Sequence, residues 1–187
     1  MKNLLAVALA VVGLTTASAQ TPTAVTVEIT QFGIYEATVT GSVEASGTAA
    51  GRVQGVNYNF VSTTTAIPAC KGVRFGFEYR VMGEPAGASI SIRSVTLFPA
   101  DGVRNPKSGQ QFSRSEYMEN REIGAVSLKG YSLDDDWEAV PGQWVQQVWY
   151  GDTLLAEKRF TLMKSCSPIS LAPGPILRAA RWGAQAG

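Results

Sequence analysis

Val73-Arg74-Phe75-Gly76-Phe77-Glu78-Tyr79-Arg80-Val81 is the stretch that decides the fold. Val73, Phe75, Phe77, Tyr79 and Val81 share one parity, while Arg74, Glu78 and Arg80 take the other. Side chains of a strand alternate between its two faces, so this pattern predicts a strand with one face in a core and the other in water.

Upstream, Thr21-Pro22-Thr23 is a loose lead-in, after which Val25, Val27 and Ile29 alternate with Thr26, Glu28 and Thr30. That is again the period of a half-buried strand. It continues through Phe32-Gly33-Ile34-Tyr35, with Gly33 as the expected bend or bulge. Gly41 to Gly55 is rich in Gly, Ala and Ser and predicts a mobile loop or a weak edge hairpin, followed by a strand over Val56–Thr63.

Downstream, Gly83 to Gly87 turns the chain into Ser89–Phe98. There Ile90 and Ile92 have one parity and Val95 and Leu97 the other, which predicts a β-bulge near Arg93-Ser94. Pro99 to Glu122 is polar and irregular, with a short helical turn expected around Ser115–Asn120. A connection of this length is either a solvated crossover or a binding loop. Strand character resumes over Ile123–Lys129. In the last two strands Trp144, Val148 and Tyr150 are expected inward, as are Leu154, Ala156, Phe160 and Leu162. An odd-length loop around Gly151-Asp152 would place Tyr150 opposite Leu154, Val148 opposite Ala156 and Trp144 opposite Phe160.

About seven short strands without an amphipathic helix predict an all-β, antiparallel β-sandwich spanning residues 20–166. Met1 to Ala19 has the pattern of a cleavable signal peptide: one charge at Lys2, an apolar run from Leu4 to Leu14, and Ala17-Ser18-Ala19 before the cut. The run is shorter than the ~20 residues that a permanent membrane helix needs, and no later segment is long and apolar enough either. The Pro, Gly and Ala rich residues 167–187 are expected to form a flexible tail. Export makes a Cys70–Cys166 disulfide credible, because both cysteines flank strands that end on the same side of such a sandwich. The expected location is periplasmic or secreted.

Composition excludes several functions. The chain has 16 basic and 15 acidic side chains, and loss of Lys2 with the signal peptide leaves it formally neutral. Nucleic-acid binding and attachment to a membrane surface both call for surplus positive charge. The chain contains no histidine. That removes Ser-His and Cys-His nucleophile activation, histidine-ligated zinc and imidazole acid-base chemistry. No cofactor motif is present.

Three stretches together resemble a small family of exported bacterial domains classed as being of unknown function. They are Lys71-Gly72-Val73-Arg74-Phe75-Gly76-Phe77, the loop with Pro99 and Asn105-Pro106, and Asp136-Trp137-Glu138 followed by Pro141-Gly142-x-Trp144 and the Gly151-Asp152 hairpin. The resemblance runs from about Val25 to Leu162. It implies an immunoglobulin-like antiparallel sandwich and an extracytoplasmic compartment, and it supplies no catalytic residues.

Candidate chemistry is sparse. Asp134, Asp135, Asp136 and Glu138 form the densest acidic cluster and are the only calcium candidate, although they lack the Asp-x-Asp-x-Asp-Gly spacing. Trp137, inside that turn, is expected to anchor the corner. Val145, Trp149 and Leu155 on the outward face of the last two strands form the expected binding surface, for an envelope protein or a glycan. A carboxylate-based hydrolase and a purely structural domain are the alternatives, and no acid pair is singled out for the former.

Overall fold

The computed structural model describes residues 23–166, so the expected signal peptide (1–19) and tail (167–187) lie outside the described residues. In chain order the elements are β1 (Thr23–Glu44), β2 (Arg52–Ser62), β3 (Ala66–Pro68), β4 (Arg74–Glu84), β5 (Ser89–Leu97), β6 (Val103–Arg104), β7 (Gln111–Phe112), β8 (Arg114–Glu122) and β9 (Val126–Ser132). A single 3-10 turn at Asp136–Glu138 precedes β10 (Gly142–Tyr150) and β11 (Thr153–Met163). One sheet has the order β2-β1-β4-β9, the second β3-β11-β10-β5-β8, and β6 and β7 form a small separate pair. All pairings are antiparallel except the short one between β3 and β11.

The alternation in β4 is carried into the structure: Phe75, Phe77, Tyr79 and Val81 are fully buried, whereas Arg80 is exposed. Phe75 belongs to one core cluster, built around Trp144 with Phe98, Phe160 and Leu133. Ring centroids there are 5.7 Å apart for Phe75 and Trp144 and 4.8 Å for Phe98 and Trp144, both edge-on. Edge-to-face stacking adds to the gain from burial. The indole N–H of Trp144 donates to the Val140 carbonyl at 2.9 Å, so its polar atom is satisfied. Phe77, Tyr79 and Val81 belong to a second cluster with Ile90, Ile92 and Val148. Trp137 packs against the first cluster as a corner anchor.

The disulfide is present, with Cα atoms 5.6 Å apart. Cys70 follows β3 and Cys166 follows β11, and these strands lie side by side in parallel, so the two residues leave the sheet at one end.

The structure corrects several expectations. Eleven strands are present among the described residues, more than the expected seven. Of the two alternatives for Gly41–Gly55, the edge hairpin is the one formed, since β1 runs without a break to Glu44 and pairs with the edge strand β2 from Arg52. No bulge interrupts β5: its pairing to β8 and β10 is in register throughout. The inward parity simply continues from Ile90 and Ile92 into Ser94 and Thr96, which are buried polar residues, so apolar alternation alone gave the wrong register. Finally, Ser115–Asn120 is not a helical turn but part of β8, paired along its whole length with β5.

The register of β10 and β11 was half legible. Trp144 lies opposite Phe160 and Val148 opposite Ala156, as expected. The loop, however, is the two-residue Gly151-Asp152 turn with Tyr150 opposite Thr153, and the register is restored by a bulge at Leu155. A two-residue turn matches the twist of the flanking strands, and a bulge absorbs the extra residue.

Candidate ligand cleft

Where β9 and β8 form the neighbouring edges of the two sheets, the interior turns polar. Ser127, Lys129 and Tyr131 of β9 pair with Tyr79, Phe77 and Phe75, so they share the inward face of β4. From the other sheet Ser115, Tyr117, Glu119 and Arg121 of β8 share the inward face of Thr96, Ser94, Ile92 and Ile90. Lys129 is 2% exposed, and its Nζ donates to Thr96 Oγ1 at 2.9 Å. The same ammonium lies 5.5 Å from the ring centroid of Tyr117. Ser94 donates to Glu119 Oε1 at 2.7 Å, and Arg121 is ion-paired to Glu119 Oε2.

A hairpin arm roofs this polar strip. At Gly33 the backbone has φ of 135°, and an added Cβ would stand 1.9 Å from the Ser62 carbonyl oxygen. Only glycine fits there. β1 makes its last pairs with β4 at this point and continues beside β2 alone. The tip of the arm is stitched to β8 and the adjoining loop. Glu116 N donates to the Gly47 carbonyl at 2.8 Å, Ala49 N to Ser115 Oγ at 2.7 Å, and Asn105 Nδ2 to the Ala49 carbonyl at 3.0 Å. Arg52 and Gln54 reach Asp134 at 2.9 and 3.4 Å. Tyr35 lies over β9 so closely that a Cβ at Gly130 would come within 2.2 Å of its hydroxyl oxygen.

Between the arm, β8 and β9 lies a cleft of about 360 Å³. Its walls include Tyr35, Tyr58, Tyr117 and Tyr131, the cations Arg52, Arg121 and Lys129, and the acids Glu119, Asp134 and Glu138. Burial pushes the Lys129 ammonium down to about 8, with Glu119 pulling the other way. Burial likewise raises the Glu138 carboxyl above its ordinary value, against the hydrogen bonds it accepts from Asp135 N and the Tyr131 hydroxyl. Desolvation penalises the charged form in both cases.

A family model, described as a domain of unknown function (DUF3859), matches residues 23–162. The chain belongs to the DUF3859 family. Among solved structures, this DUF3859 domain is similar to an immunoglobulin-like protein from Pseudomonas aeruginosa. The identity is 25% and the TM-score 0.55, over 75% of this chain and 98% of that one. The sandwich is therefore immunoglobulin-like. A β-glucosidase from Kluyveromyces marxianus aligns at 11% identity and a TM-score of 0.33, over 76% of this chain and 14% of that one, a likeness too slight to bear on either fold or activity. No curated protein sequence matches the chain.

In the DUF3859 domain the residues singled out from sequence are distributed as follows. Val145 and Trp149 share the outward face of β10, beside Leu97 and Arg93 of β5. Val145 is buried. Trp149 is half-buried, with the Arg93 guanidinium 5.1 Å from its ring centroid and its indole N–H donating to Gln147 at 3.0 Å. Leu155, at the bulge, packs against the interior cluster of Phe77 and Val148, and Leu154, 40% exposed, lies opposite Trp149 in its place. The four acids do not converge: Asp134 turns to Arg52, Asp135 lies 3.9 Å from Lys71, Asp136 is exposed and Glu138 points inward to Tyr131. Among the described residues no group of three acid or cysteine side chains is placed to hold a metal ion.

The cleft residues of β8 escaped the sequence reading because their inward set, Ser-x-Tyr-x-Glu-x-Arg, carries no apolar alternation. The available signal was Ser127-x-Lys129-x-Tyr131, which once in register with β4 places a lysine at a core position.

Proposed function

We propose that this domain is an exported, non-enzymatic binding module of the bacterial cell envelope, and that its ligand is a glycan unit held in the cleft beneath the β1–β2 arm. The observation that carries this reading is the cleft itself. Its volume is in the range of small-ligand sites, and its tyrosine rings alternate with fixed donors and acceptors. Such a lining suits a hydroxyl-rich ring compound better than a protein surface, which needs a broad, flatter patch. The disulfide favours an oxidising compartment. Glu119 and Asp134 are each bound to an arginine, which fixes them as charges and suits them poorly to passing a proton.

The test is isothermal titration of the oxidised, periplasm-purified chain with neutral, amino and acidic monosaccharides and soluble envelope-glycan fragments. Binding by at least one of them, weakened in Tyr117→Ala with the fold intact by circular dichroism, is the expected result. No binding of any sugar at millimolar concentration would overturn the proposal.

A further inference from the structure

We infer that the ligand of this cleft carries a carboxylate, and that Lys129 is the group that receives it. This rests on the cleft being the binding site. The cations of the cleft are not equivalent. Arg52 is ion-paired to Asp134 and Arg121 to Glu119. Among the described residues no carboxylate stands within ion-pairing distance of Lys129, whose hydrogen bond goes to the neutral hydroxyl of Thr96. An ammonium has three N–H donors, so two are left for a ligand. Both oxygens of the nearby Glu119 are engaged, one by Ser94 and one by Arg121.

Arg121, by contrast, is committed within the protein: its guanidinium pairs with Glu119, and the buried Tyr79 hydroxyl is its neighbour. Among the cleft cations Lys129 thus keeps the unused N–H donors. A carboxylate accepts from an ammonium, and charge-assisted bonds of this kind are about twice as strong as neutral ones. A glucuronate-like sugar combines such a group with hydroxyls for the tyrosine and glutamine wall.

The test compares glucuronate, glucose, glucosamine and inorganic phosphate as probes of the wild-type chain by titration calorimetry. Glucuronate is expected to bind about tenfold or more tightly than glucose, the size of one charge-assisted contact. Lys129→Met should erase that preference while keeping its near-ultraviolet dichroism, and Lys129→Arg should retain part of it. Equal affinity for glucose and glucuronate, a preference for glucosamine or phosphate, or an undiminished preference in Lys129→Met would overturn the carboxylate inference and leave the cleft as a sugar site. Failure of every sugar to bind would overturn both.

Discussion

Replacing Lys129 by Met should make the folded protein more stable at neutral pH, and the advantage should shrink as pH rises. The side chain is buried on the cleft wall, with 2% exposure, and its folded pKa is about 8 against an ordinary value of 10.5. The unfolded chain therefore binds the proton more tightly than the folded one between those values. Wild-type stability rises with pH across that window, and the full cost of the buried charge is present below pH 8. The displacement corresponds to about 3 kcal/mol at pH 7, of which some 2–3 kcal/mol is relieved by pH 10. Methionine has a similar shape and no charge, but leaves the buried Thr96 hydroxyl without its donor, at a cost of about 1–2 kcal/mol. The expected net is a gain of about 1–2 kcal/mol for Lys129→Met at pH 7 that is lost or reversed at pH 10. Glu119 and Tyr117 face Lys129 from β8, Arg121 is paired to Glu119, and Tyr131 follows on β9; all four stay in both chains, so their own titration largely cancels in the difference. The assay is urea denaturation of both chains, disulfide intact, at pH 7 and pH 10. Free-energy differences that are equal at the two pH values, or a variant less stable at pH 7 than at pH 10 relative to wild type, would refute the reasoning.

Leu154→Asp should cost less than about 1 kcal/mol because Leu154 is 40% exposed, whereas Leu155→Asp should cost about 3 kcal/mol or more; equal losses in thermal melts would contradict the bulge. Gly130→Ala should destabilise by about 1–3 kcal/mol through collision with Tyr35, and Tyr35→Phe should recover part of that loss in a double-mutant cycle of denaturation midpoints. Reduction of Cys70–Cys166, or its double replacement by Ser, should lower stability by roughly 4 kcal/mol for a bridge of sequence separation 96, read from oxidised and reduced denaturation curves. Arg52→Ala should change global stability by less than about 1 kcal/mol, since its ion pair is exposed, yet speed amide exchange in the arm strands over Val53–Tyr58.

Much of the fold was legible because it rests on apolar alternation. The parity of β4, the pairing of Trp144 with Phe160 and the placement of both cysteines all follow from where large apolar side chains can go. The misses share one physical cause. In β5 the inward set passes from Ile90 and Ile92 to Ser94 and Thr96, and in β8 it is polar throughout. Where the two sheets enclose a wet cleft in place of a dry core, burial no longer coincides with apolar character, and period-two hydrophobicity loses the strand. The same polar switch hid the cleft, so the sequence pointed to the outward Trp149 face.

That coincidence bears on function. A sandwich needs nothing more at position 129 than an apolar side chain to pack beside Phe77, and there lysine costs stability. Mutation tends to remove such a cost where nothing holds it, and destabilising polar groups persist preferentially at sites that use them. If Lys129→Met proves more stable at pH 7 and also loses the preference for acidic sugars, the stability cost and the binding role would lie in one side chain. If it proves more stable and binds unchanged, the lysine serves neither the cleft nor the fold, and the polar lining of β8 would have to be explained by hydration of the edge alone.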